Sequence, residues 1–600
     1  MRDIRLAQTI APFGVGAIYD YQGESLMLTD AGEWDKLATR RIVSPRLESA
    51  LGGTELRTPP SVSSFASEKS PGIPFVRFPS WMFCQDCRRM RRQKRSDETG
   101  VSPACFVCGA GMVPMRFIAV CTKHSHVMDV PWDRWAHSEP LNEDQRKCAL
   151  AGQELVFEPV ANAGEALSGL RVACRGCRAQ RTLAGLTSTD SLRRIGIKCL
   201  GGQPWQFNQP LCDERVEVLQ RGATNVTTLE VSSALDIPEV ERASDELDDV
   251  IDSHHLFAYV SSSPDSPLAD SLIATIAQEL NVTKEQVLGR LNGQGKDATP
   301  EKSQTITLLD AEWDAFKNVM DSPGNDLGHP NFEVSRQNLG SEWKDNGVGL
   351  LSLVESVLLV SRLREVRALQ GFRRYSDDSD FVRANLGGGA GWDWAPAIEA
   401  FGEGVFIGLS NDALQQWESN EAVMARASRL ETRRQRSQVG SRLPTVTPRS
   451  LLLHTTSHLL MRQLSFGSGY AAASLRERVY SNNGQAGILI YTASDDTEGT
   501  LGGLVREGEG SRLQATLMRA LEAATWCSND PVCAESPGQG MNSMNLASCH
   551  ACALSSETSC SRMNLGLDRV LLIGAPDGSV PGFFGDVLQR LRDQIAAINV

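Results

Sequence analysis

The placement of cysteine constrains this chain more than any other feature. Ten of its fifteen cysteines lie between Cys84 and Cys212, five lie between Cys527 and Cys560, and none lies between the two bunches. Cys84 and Cys87, followed by Cys105 and Cys108, have the CxxC…CxxC spacing of a structural zinc ribbon. Each CxxC puts two thiolates on one tight turn, and a tetrahedral ion needs two such turns face to face. With four thiolates and no open position, such a site holds a fold together and does not activate water.

A chain of 600 residues is long enough for several domains and for ordinary hydrophobic cores, so metal acts here as local reinforcement. The composition, 41% hydrophobic and 22% charged, is that of a globular protein. Its net charge of −13 is not the profile of a stand-alone nucleic-acid binder. Any DNA contact must then come from a local basic patch or from a partner. The N-terminal run carries Asp3 and Gln8 where a signal peptide would be basic and then apolar, so it reads as mature protein. No apolar run reaches membrane-spanning length, which points to a cytoplasmic protein without a membrane partner. In a reducing compartment CxxC pairs favour metal over disulfides.

The expected fold class is α+β multidomain: a β-rich N-terminal part with zinc ribbons, a helical middle and an α/β C-terminal module closed by a zinc-binding cysteine cluster. The expected domains are a β-rich entry at 1–80, a zinc-ribbon region at 81–215, a helical middle at 216–348, a helical connector at 349–449 and the C-terminal module at 450–600. Runs 237–255 and 271–292 show helical periodicity with acidic polar faces. Leu351, Val354, Leu358, Leu359, Leu363, Val366 and Leu369 read as one side of a helix over 349–370, stopped by Gly371. The last third reads as a helix around RSLLLHTTSHLLMRQL, a strand at GILIYTA and a helix over 512–526.

A second quartet, Cys148, Cys174, Cys177 and Cys199, has only one knuckle, and Cys121 or His126 can replace some of its members. His124 and His137 read as surface or hydrogen-bonded side chains, and Cys212 as a free core thiol. At the other end Cys549, Cys552 and Cys560 take either Cys533, the preferred fourth ligand, or Cys527. The total is two or three structural Zn2+ sites. His454 and His458 share one helix face, but Thr455 stands where a zinc protease needs Glu as general base, so packing or hydrogen bonding is favoured.

Arg88, Arg89, Arg91, Arg92, Lys94 and Arg95 put six cations in eight residues inside the first zinc loop, the best candidate for phosphate contacts. Arg426, Arg429, Arg433, Arg434, Arg436 and Arg442 form a second cluster in a helical stretch. Trp81, Trp132 and Trp135 fit core packing better than base stacking. No ATPase, protease or nuclease motif is evident: the glycine-rich runs near 14 and 386–394 lack a P-loop's spacing and Lys-Ser/Thr. The alternative to a non-catalytic protein is a metal-dependent nuclease using Asp495, Asp496 and Glu498.

The runs RLAQTIAPFGVGAIYD, FPSWMFCQDC, CTKHSHVMDVPWDRWAH, LQRGATNV, LREVRALQGFRR, LLLHTTSHLLMRQL, YTASDDTEGTLGGLV, CSNDPVC and CHACALSSETSC together resemble the DrmB family of the DISARM antiphage defence system. The stretch from about 450 to 572 resembles the cysteine module found at the C-termini of some superfamily-two helicases. The resemblance implies a non-catalytic subunit that pairs with a helicase-like DrmA-type protein and helps it engage DNA.

Overall fold

A computed structural model describes residues 4–35, 38–60, 72–148, 154–160, 166–206, 212–237, 256–257, 260, 269–279, 284, 287–288, 308–321, 327–343, 348–385, 394–437, 439–482, 484–494 and 502–598. The fold mixes helices and sheets, and the chain divides into two compact units. The first comprises Met1–Ala234, Glu365–Ala400 and Arg436–Arg442; the second comprises Leu235–Arg364, Phe401–Gln435 and Leu443–Val600. Of the expected helix over 237–255, only residue 237 is described, and it is not helical. Within 271–292 the described helix is Ala269–Glu279.

The first unit is built from small antiparallel sheets of short strands. Ile18–Tyr21, Glu24–Leu28 and Phe75–Arg77 form one; Met90–Arg92, Trp81–Cys84 and Met112–Pro114 form another. Val127–Asp129, Phe117–Cys121 and Val216–Gln220 make a third, and Leu155–Pro159, Leu170–Cys174 and Gln180–Thr182 a fourth. Sheets of three short strands bury little surface each, so they need a shared core or a staple. Trp132 and Trp135 supply part of that core and are fully buried; the Trp135 indole N–H donates to the Thr182 carbonyl at 3.1 Å.

A polar centre also ties this unit together. Arg374 is buried without a carboxylate partner among the described residues, and its guanidinium donates to Gly16 O at 2.7 Å, Val226 O at 3.1 Å and Gln203 Oε1 at 3.2 Å. Burial lowers its pKa from the usual arginine range to about 9. Three chain segments far apart in sequence therefore depend on one side chain.

The second unit is organised around the helix Pro448–Ser468. Thr447 caps it, accepting from Ser450 N, Pro448 occupies its first turn, and Gly469 closes it with φ 79°. The helix is buried nearly all round, so its sequence lacks a polar stripe. It packs against the strands Leu475–Tyr480 and Gly487–Ser494 and the helix Gly510–Ala524. Leu452, Leu453, Leu460, Ile488, Ile490, Leu513 and Leu517 lie in the resulting core.

The helix expected over 349–370 is instead a strand, Val354–Arg373, preceded by a short 3-10 turn at Leu350–Ser352. Val357, Leu358, Leu359 and Val360 are consecutive and all buried, which a strand covered on both faces demands and a half-buried helix does not. The β-branched Val354, Val357, Val360 and Val366 favour the same outcome. Gly371 is a close-approach residue and not a helix stop: a Cβ there would lie 2.0 Å from the Val382 carbonyl oxygen across the ladder. The connector around it is therefore strand as well as helix, with Trp394–Leu409 a second long strand before the helices Asn411–Glu418 and Glu421–Arg436.

Candidate metal centres and basic surface

Four turns in the first unit share one backbone device. Cys84 N donates to Arg89 O at 2.8 Å, Cys105 N to Ala110 O at 2.7 Å, Cys121 N to His126 O at 2.9 Å and Cys174 N to Ala179 O at 2.7 Å. In each, the residue four after the cysteine has positive φ: Arg88 at 63°, Gly109 at 76°, Ser125 at 53° and Arg178 at 65°. The turn aims the side chains at its first and fourth positions the same way. That is why a CxxC pair behaves as one half of a metal site.

Cys84, Cys87, Cys105 and Cys108 come together, with Cys84 Sγ 3.4 Å from Cys108 Sγ and Cys87 Sγ 3.5 Å from Cys105 Sγ. A tetrahedron of Zn–S bonds of about 2.3 Å separates its sulfurs by about 3.8 Å, so the group fits Zn2+. Against the upward pull of burial, N–H groups of Cys108 and Val107 bring the Cys105 thiol down to about 6.

The second expected quartet is divided between two groups. Cys148, Cys174 and Cys177 are joined by His137, whose Nε2 lies 3.2 Å from Cys177 Sγ. His137 Nδ1 donates to Asp133 O at 2.7 Å, the second contact that fixes the tautomer of a metal-binding imidazole. His137 follows the helix Trp132–Ala136, and no local motif announces it. Cys199 lies elsewhere because Cys199 N bonds Glu214 O at 3.3 Å, which brings it beside the Val216–Gln220 strand and hence Cys121.

Cys199 thus groups with Cys121, His126 and Cys212. His126 Nδ1 is 3.4 Å from Cys199 Sγ, while His124, at the fourth position of the Cys121 turn, is 3.3 Å from Cys212 Sγ. Cys212 is therefore not an isolated core thiol. A hydrogen bond from Cys199 is the main cause holding the Cys121 thiol down at about 3.

In the second unit Cys527, Cys533, Cys549 and Cys552 form a four-sulfur group, with Cys527 Sγ 3.5 Å from Cys549 Sγ and Cys533 Sγ 3.8 Å from Cys552 Sγ. Both Cys527 and Cys533 are in it. Cys560 is not: it faces His454, with His454 Nε2 3.2 Å from its sulfur. His454 and His458 are consequently more than packing residues, and they share a buried group with Cys560 and Glu477.

The two arginine clusters differ in what they touch. Arg426 pairs with the buried Asp568, Arg433 donates to Ser543 O at 2.8 Å and Pro537 O at 2.6 Å, and Arg442 pairs with Asp377 at 2.9 Å. Arg434 binds Glu431 through two nitrogens, and that contact holds the Glu431 carboxyl at about 2. These arginines are used internally. In the first zinc loop Arg89 pairs with Glu154 at 3.0 Å, Arg91 with Asp97 at 3.3 Å, and Arg95 donates to Trp205 O at 3.0 Å. Arg88, Arg92 and Lys94 are exposed. Asp495, Asp496 and Glu498 lie outside the described residues. No helix among the described residues is long and apolar enough to cross a membrane.

Sulfur-rich, closed ligand sets of this kind define a protein whose Zn2+ ions are structural. Residues 456–553 match the MrfA Zn-binding domain, which spans all four members of the Cys527 group, and residues 5–228 match a domain of unknown function, DUF8724. Along nearly its whole length the chain is similar to one curated relative. It is 28% identical over 605 residues, covering 95% of this chain and all of the relative, to the DISARM protein DrmB of Bacillus paralicheniformis.

Proposed function

We propose that this chain is a non-catalytic subunit of an antiphage DISARM complex, which docks on a helicase-like DrmA-type partner and helps it hold DNA. The observation that carries the reading is the similarity to DISARM protein DrmB across 95% of the chain. Arg88 on the metal-pinned turn, with the exposed Arg92 and Lys94 on the strand Met90–Arg92 and just past it, supports the DNA contact, because a knuckle holds its neighbouring cations in place and phosphate contacts need position more than base-reading groups. On an acidic chain such a patch contributes local affinity within a complex.

Co-purification with the helicase-like product of a neighbouring gene, followed by DNA binding over a salt series, tests this. With Arg88→Glu, Arg92→Glu and Lys94→Glu combined, the slope of log K against log salt should become shallower by about 2 to 3. An unchanged affinity and slope in the complex sinks the patch, and failure to co-purify sinks the partnership.

A further inference from the structure

We propose that His454, His458, Glu477 and Cys560 form a separate metal site that takes one Zn2+ through two imidazole nitrogens, one carboxylate oxygen and one thiolate. The two histidines stand one turn apart on the helix Pro448–Ser468, Glu477 lies on the strand Leu475–Tyr480, and Cys560 follows the Cys549 turn. All four are buried, and their ligand atoms lie within 4.8 Å of one another.

The hydrogen bonds around the group orient its donors inward. His454 Nδ1 lies 3.0 Å from Gly566 O and His458 Nδ1 2.9 Å from Ala553 O; in each pair the imidazole N–H must donate, because a carbonyl oxygen only accepts. Each neutral ring then turns the lone pair of Nε2 to the centre. Ser457 donates to Glu477 Oε2 and leaves Oε1 facing both rings, 3.2 Å from His454 Nε2 and 3.4 Å from His458 Nε2. Arg562 N and Asn564 N each donate to Cys560 Sγ at 3.3 Å, which favours the thiolate.

Four acceptors therefore face each other with nothing between them to donate. His458 Nε2 and Glu477 Oε1 have no hydrogen-bond partner, a costly arrangement for buried polar atoms. Filling the centre with protons instead sets two charged rings face to edge with centroids only 4.6 Å apart in a fully buried group, whereas one ion meets all four donor atoms at once. A single Zn2+ bound by one carboxylate and one thiolate is neutral as a whole, and neutral imidazoles complete a tetrahedron. The site is sealed and has no open position, so the ion fastens helix, strand and C-terminal loop together. It shares no ligand with the Cys527 group, although Cys552 and Cys560 belong to one segment.

Metal counting by native mass spectrometry of the full chain tests the proposal. His458→Ala and Cys560→Ser should each carry one Zn2+ fewer than the unmodified chain, and His458→Cys, which keeps a donor, should restore the count. Equal counts in all four proteins overturn it. Should the alanine and serine variants not fold, the unmodified chain loaded with 113Cd decides the matter by NMR. One resonance in the range of a single-sulfur, nitrogen- and oxygen-bound cadmium is expected beside the sulfur-rich ones, and its absence overturns the site.

Discussion

The Cys84 group and the His454 group hold their ligands by opposite strategies. In the first, all four ligands fall within 25 residues on two turns of identical backbone, and Cys108 is exposed. In the second, ligands come from a helix, a strand and a loop, with His454 and Cys560 separated by 106 residues and every member buried. The small core around the knuckles, made of Met82, Cys84, Cys105 and Met112, contains the ligands themselves. Around the helix Pro448–Ser468 a large apolar core exists independently of them. The first group builds its own small core, whereas the second lies among elements already packed on a large one, where the proposed ion would add a further fastening.

The comparison predicts a large asymmetry on metal removal. Chelation under reducing conditions should unfold the knuckle sheets of the first unit, since apparent zinc-binding energies of about 10 kcal/mol or more in small zinc modules are folding energy. The core of the second unit should persist, as read by proteolysis mapped along the chain. Equal protease sensitivity of the two units breaks the contrast. Next in size, Arg374→Met in the first unit should lower stability by about 3 to 5 kcal/mol, because it orphans the Gly16, Val226 and Gln203 acceptors. Denaturant unfolding at fixed zinc measures it, and a cost under about 1 kcal/mol shows that metal alone holds that unit.

Smaller effects sharpen the same contrast. Cys84→Ser should remove one Zn2+ and open the chain to protease around Arg95 while leaving the 448–468 helix protected from hydrogen exchange. Loss of protection there would show the units to be energetically linked. Thr447→Ala, which removes the cap of the helix carrying the histidine pair, should cost about 1 kcal/mol and leave the metal count unchanged. A lost ion in that variant would mean the helix position depends on its cap far more than on its buried faces.

What the sequence revealed tracks the distance over which each feature is decided. CxxC turns are local, so the Cys84, Cys87, Cys105 and Cys108 grouping could be anticipated from spacing. Cys199 found its group beside a sheet pairing and His137 through the packing of the helix Trp132–Ala136 on the strand Leu170–Cys174, neither of which spacing encodes, and the i, i+4 pair His454 and His458 lacked any nearby third ligand. The strand Val354–Arg373 carries helix-like periodicity because a segment buried on both faces loses the alternation that marks strands and leaves apolar positions that also fit a helix. The arginines of the Glu421–Arg436 helix looked like the cations of the first zinc loop. Only their carbonyl and carboxylate partners separate structural cations from exposed ones.

The unequal spans of the two groups also set an order of assembly. Closing 106 residues costs about 1.3 kcal/mol more loop entropy than closing the 24 that separate Cys84 from Cys108. The knuckle can fill as soon as its own short stretch leaves the ribosome, whereas the His454 group waits until the segment carrying Cys560 has followed. Ion occupancy there would report that the helix, the strand and that later segment have come together.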